Sequence, residues 1–377
     1  MLIATGPMCA PTMNKSPLAI AIGGLLAMAA GIGVGRFVYT PILPPMVEAL
    51  HLSKSEAGLI ASANFVGYLA GAIVATLPLP GSRRTWLLGA LALNAAGLAA
   101  MGLTNSLTLF LVLRLAAGFA SAFALIFSSA LVLDRLATQA GRTGLSAVHF
   151  AGVGTGIVAS AALVVTLVDW RTMWFASAAL ATVASLAVAA LIPAEQRAQQ
   201  RTKVLGNASW PLITAYGLFG FGYVITATFI VAQVRGSREI AALEPYIWVL
   251  VGVGAAPSVA LWGAIARRWG ILNGFAVAAV VEAVGIAASV LWESPATVIG
   301  TAVLLGATFM GLTALGLMAA AGRIAMMTAA FGVGQIIGPI VAGYLFDLTG
   351  SLRAPTLAAS AALLVACALA LLSGRQR

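Results

Sequence analysis

The chain has 377 residues, 61% of them hydrophobic and 8% charged, with a mean hydropathy of +1.04 and a formal charge of +10. A soluble domain carries roughly 25% charged residues, so a water-soluble globule is excluded and lipid must be the outer solvent. The positive residues are scattered over short links with no basic patch, which excludes nucleic acid as a partner, and the two cysteines form no disulfide framework or metal-ligand pattern.

Crossing about 30 Å of hydrocarbon takes roughly 20 apolar residues. The opening segment 1–17 has neither the basic start nor the small-residue cleavage site of a signal peptide, and is expected to be a cytoplasmic tail. The first span, 18–40, runs into AAGIGVGRFVYTPILPPM at 29–46, where Arg36 follows a glycine run. Gly31 and Gly35 share a face with Tyr39, and Arg36 points about a quarter-turn away. Pro41, Pro44 and Pro45 are expected to end that helix, for want of N–H donors and by steric clash. The second span, 56–78, sets Asn64, Tyr68 and Gly71 near one face, and a third covers 86–104. In the fourth, 107–132, Arg114 shares a stripe with Gly118, Ser121 and Ser128, a small and polar face suited to a water-filled path. The fifth, 144–167, carries His149 and then GVGTGIVAS at 152–160; without a strand–helix unit this is no nucleotide loop, and it reads as close helix packing. The sixth is 172–193.

A polar linker at 194–208 divides the chain near its midpoint. Beyond it the seventh span, 209–233, aligns Tyr216, Gly220 and Tyr223, and the eighth is 246–266. The ninth, 271–292, contains Glu282, the only acid deep in a span; the tenth is 298–321. Gln335 lies in the eleventh, 326–346, the twelfth is 354–373, and 374–377 is a second cytoplasmic tail. With both ends cytoplasmic, inside links carry 13 Lys and Arg against 5 outside, as the positive-inside rule expects. The expected fold is an all-α polytopic membrane protein of twelve transmembrane helices, in two six-helix bundles at 18–193 and 209–373.

No HExxH, GxSxG or P-loop appears, so enzyme chemistry and ATP-driven transport have no carrier in the sequence. Two six-helix halves fit a secondary transporter. LRLAAGFASA at 113–122, DWRTMWF at 169–175, GAIARRWG at 263–270 and GVGQIIGPIVAGYLFD at 332–347 resemble the major facilitator superfamily. Within it, GIGVGRFVYTPILPPM and YGLFGFGYVITATFIV at 216–231 resemble the YbfB/YjiJ-type bacterial group. The loop pattern departs from the superfamily where Arg267 takes an acidic position, so Arg83, Arg84, Arg267 and Arg268 read either as topology anchors or as contacts holding the inner ends together. The resemblance implies the major facilitator fold, a bacterial inner-membrane location, alternating access and proton coupling, with first, fourth and seventh helices lining a central cavity.

Arg36 and Arg114 are the only basic residues placed within spans, and an intramembrane charge should face a cavity or a partner. Arg36 either snorkels to the headgroups or meets a substrate; Arg114, the stronger candidate, either contacts substrate or braces its half-bundle. If both face the cavity, charge complementarity favours an organic anion, and a carboxylate fits a guanidinium bidentately. Tyr39, Asn64, Tyr68, Tyr216, Tyr223 and Gln335 are further substrate-binding candidates, or else interhelical glue. Glu282 and His149 are the proton-coupling candidates. Expected partners are membrane lipid, protons and a small-molecule substrate, for a monomer without cofactor or metal. Export of amphiphilic drugs or metabolites and passive uniport are the alternatives.

Overall fold

The computed structural model describes residues 16–137, 145–193, 209–320 and 323–375, so the linker at 194–208 and most of both tails lie outside the described residues. Those residues are helical nearly throughout. The first span is α1 (Pro17–Met28), a π turn (Ala29–Val34) and α2 (Tyr39–Leu50). The remaining spans of the first half are α3 (Lys54–Val74), α4 (Arg83–Met101), α5 (Leu107–Ala137), α6 (Leu145–Val164) and α7 (Trp170–Leu191). The second half contains α8 (Trp210–Gly236), α9 (Glu244–Trp269), α10 (Ile271–Leu291), α11 (Pro295–Ala319), α12 (Ile324–Thr349) and α13 (Arg353–Arg375).

Eleven of these rods are long and apolar enough to cross a membrane. The twelfth, α4, falls short by composition, because Arg83 and Arg84 open it and Asn94 interrupts its 19 residues. Local chemistry fixes the ends. Ser53 caps α3 and Glu56 returns the bond, a capping box that satisfies two free N–H groups. Ser294 and Thr297 form a second box on α11, and Ser82 and Asp169 cap α4 and α7 by accepting a backbone N–H. At the other end of α7, Arg84 donates from Nε to Ile192 O (2.8 Å) and from Nη2 to Ala189 O (2.7 Å), satisfying carbonyls that a helix C-terminus leaves open.

The prolines do not end the first helix. The helix breaks earlier, at 35–38, and restarts at Tyr39, so Pro41 lies in a first turn, where a missing N–H costs nothing. Helix α2 then runs through Pro44 and Pro45 to Leu50, and His51, in a left-handed conformation, ends it. The true span is therefore 17–50 rather than 18–40.

The halves meet along two seams, α3 against α12 and α6 against α9. Glycines make the approach possible. A Cβ on Gly58 would lie 2.2 Å from Pro339 O, and one on Gly154 would lie 2.3 Å from Ala256 N. At the face opposite the chain ends, here the distal face, polar contacts also join the halves. Arg235 pairs with Glu48 at 2.5 Å, and the Asp347 carboxylate accepts the N–H groups of Lys54 (3.1 Å) and Ser55 (2.9 Å). An acid there complements the positive N-terminus of α3.

Candidate functional site

The site grows out of the break in the first span. In the π turn Gly35 N–H bonds to Ala30 O, five residues back, and the surplus carbonyls turn outward. Neighbouring helices fill them. Asn94 of α4 donates Nδ2 to Ala30 O (3.1 Å) and Gly31 O (3.3 Å), and Ser121 of α5 donates to Gly31 O (2.8 Å). Arg114, 2% exposed, donates to Gly35 O (3.4 Å) and Arg36 O (3.2 Å), with its guanidinium carbon 4.9 Å from the Tyr39 ring centroid. Asn64 in turn donates to Arg114 O at 3.0 Å, tying α3 to α5.

Arg36 has a different environment. It is 6% exposed, and its guanidinium lies between the rings of Phe65 and Tyr68, 4.5 Å from each centroid, with Phe37 at 5.5 Å. Cation–π attraction holds such a group in place without neutralising it. Among the described residues no carboxylate pairs with it, and its Nε and Nη2 have no hydrogen-bond partner. Those two donors share one edge of the guanidinium, the fork that matches a carboxylate.

The pocket around Arg36 is built by both halves: Phe37, Tyr39, Thr40, Phe65 and Arg114 from the first, and Val224, Ala227 and Thr228 from the second. Its volume is about 20 Å³, room for roughly one water. The halves are thus closed over the arginine. Thr40 donates to Ala227 O (2.7 Å) across the seam, and Phe37 meets Phe309 edge-on at 5.6 Å and Trp248 at 6.3 Å. Trp248 also lines a cleft of about 270 Å³ at the distal face, with Pro41, Pro45, Arg235 and Glu244. Phe37 lines the pocket and Trp248 the cleft, and the two rings meet between them.

The other sequence candidates fall into four places. Tyr39 lines the pocket, but its hydroxyl is engaged on Ala57 O (2.9 Å). Tyr223 and Gln335 bond to each other, and the Tyr223 ring stacks on Phe309 and Phe331 at 5.8 Å. Tyr216 joins the same stack through Phe331 (4.9 Å), with its hydroxyl on Thr313 O. Glu282 is fully buried on α10, facing the Thr308 hydroxyl of α11 and in electrostatic reach of Tyr223. His149 lies in the first half against Ser129 (3.0 Å) and belongs to the α1–α6 packing, away from Arg36.

The stripe below Arg114 is packed against neighbouring helices. Gly118 abuts Asn64 O, where a Cβ would stand 1.9 Å away, and Ser121 and Ser128 turn onto Gly31 O and Met28 Sδ. Small residues on that face serve helix approach, rather than a water path. Sequence reasoning missed Phe65, Phe309, Trp248 and Asn94. The signal for Asn94 was present, a lone amide in an apolar run; the aromatics gave none, being ordinary core residues by spacing.

Comparison with solved structures gives the same architecture at low identity. The nucleoside transporter NupG superposes with a TM-score of 0.69 at 15% identity, over 96% of this chain and 99% of that one. A bacterial homologue of the human lysosomal transporter Spinster, in an inward-facing and occupied conformation, gives 0.71 at 14%, over 96% of each chain. Comparison with curated proteins returns no match. The family described as "Uncharacterised MFS-type transporter YbfB" matches residues 28–371. With a two-bundle helical fold and a buried polar site closed between the bundles, the chain belongs to that family of membrane transporters.

Proposed function

We propose that the protein is a secondary transporter that moves a small organic anion by alternating access, with Arg36 as the substrate's charge partner. One observation carries the reading: a guanidinium buried at the seam between the halves keeps an unpartnered edge. An uncompensated buried charge is costly, and a site that binds an anion has reason to hold one. Arg114 is the brace that sets the Arg36 backbone, through the Gly35 and Arg36 carbonyls. The bundles rock about this pocket, and the Glu48–Arg235 and Asp347 contacts part when the distal face opens.

The positive-inside bias supports an orientation in a bacterial inner membrane with both chain ends cytoplasmic. Energy comes from the proton gradient. Glu282, the one fully buried acid among the described residues, is the proton carrier, since an ionisable side chain inside a membrane span marks a proton or substrate path. Reconstituted protein should move protons across liposomes when the anion is added, and Glu282→Gln should abolish that movement while leaving substrate exchange. Anion transport without proton movement in the wild type would make the protein a uniporter. Stabilisation by lipophilic cations alone would replace the reading with drug export.

A further inference from the structure

The chemistry around Arg36 narrows the substrate class, given the anion-transporter reading above. We infer that the site takes a monocarboxylate with a flat aromatic body, in preference to a dicarboxylate, a zwitterion or a polyol.

The charge count comes first. Only the Nε–Nη2 edge of Arg36 is unpartnered as a fork, whereas both Nη groups of Arg114 are engaged on backbone carbonyls. A second carboxylate would find no equivalent fork. None of the pocket's lining residues is acidic, so the ammonium of a zwitterion would be buried without a counter-charge, a cost that excludes it. The hydroxyls come next. Tyr39 is bonded to Ala57 O, Thr40 to Ala227 O, and Thr228 to Val224 O within its own helix. With their protons spent, these hydroxyls can only accept, so the several oxygens of a polyol would find too few donors, and each one left without a partner costs about as much as a lost hydrogen bond.

The surroundings select the body. Phe65 and Tyr68 flank the guanidinium, and Phe37 touches Phe309 across the seam. Behind Phe309 the second half presents an aromatic wall. Tyr223 is nearly parallel to Phe309 (8°) and to Phe331 (3°). When the halves part along the Phe37–Phe309 contact, a ring whose carboxylate is held by Arg36 faces that wall and can stack on it, as aromatic pairs prefer.

The test is a thermal-stability and counterflow series on the detergent-purified and reconstituted full chain, with benzoate, propionate, phthalate, phenylalanine and benzyl alcohol. Benzoate should bind at least tenfold more tightly than propionate, phthalate or phenylalanine, and benzyl alcohol should not bind. Phe309→Leu, which keeps an apolar side chain there, should reduce the benzoate-to-propionate affinity ratio severalfold. Arg36→Lys should weaken both acids. If propionate or phthalate equals benzoate, or if the ratio survives Phe309→Leu, the aromatic inference falls and the anion reading stands. If no acid binds, both fall.

Discussion

The first and seventh spans open the two halves, and in each 72% of the most apolar stretch is buried. Only one of them is broken. Helix α8 runs for 27 residues through Gly217, Gly220 and Gly222 without interruption, while the first span, with Gly31, Gly33 and Gly35, passes through a π turn and restarts. Glycine content therefore does not decide the break. The difference is in donors arriving from other helices. Asn94, Ser121 and Arg114 satisfy four carbonyls of the first span, whereas among the described residues α8 receives Thr40 alone, on Ala227 O. A helix can give up its own bonds inside a membrane only where neighbours replace them.

That comparison can be tested first through the two arginines. Arg36→Ala should reduce transport by on the order of 10²-fold, the scale of losing one partner of a buried charge contact, while the melting temperature in detergent stays within a few degrees. An equal fall in stability would make Arg36 a structural residue. Arg114→Ala should do the reverse, losing about 3 kcal/mol as two carbonyls lose charged donors. Arg114→Lys should recover part of it, since an ammonium cannot fork between two acceptors. Thermal unfolding of both variants checks the contrast.

A smaller effect probes the break itself. A Cβ on Gly35 would stand 1.8 Å from Asn94 Nδ2, so Gly35→Ala should cost about 1–3 kcal/mol by overpacking. In an Asn94→Ala background the penalty should shrink, and a double-mutant cycle reads the coupling. Additive costs would show that Asn94 does not hold the π turn in place.

The smallest effect contrasts these membrane-buried donors with a cap at the surface. The Thr172 N–H, then its hydroxyl, hold the Asp169 carboxyl below its ordinary value. A depressed folded-state value means this stabilisation is present above the ordinary carboxylate range and is lost as pH falls through the folded value. Asp169→Ala should cost about 1 kcal/mol or less at neutral pH, a difference that vanishes in acid. A constant difference across the pH series would separate the cap from its charge.

Much of this molecule was legible in its residues. Hydropathy fixed the lipid solvent and nearly every span, because hydrocarbon thickness sets one length for all of them. The lone ionisable residues Arg36, Arg114 and Glu282 were also visible, since a charge in an apolar run stands out wherever the helix later packs. Boundaries were harder to read. Pro41, Pro44 and Pro45 suggested an end to the first span, and the helix continues because a break at 35–38, just ahead of them, moved Pro41 into a first turn.

The sequence by itself determined the solvent, the number of rods, their division into two halves and which side chains would be costly to bury. Only the tertiary structure decided which arginine is braced and which keeps an unpartnered edge. The two look alike in sequence, each beside small residues in an apolar helix, and Arg114 had the more polar stripe. Their partners come from elsewhere in the chain: backbone carbonyls exposed by a π turn for Arg114, and rings of Phe65 and Tyr68 for Arg36. Hydrogen-bond satisfaction in a membrane interior is settled between helices, and periodicity along one helix holds no record of it.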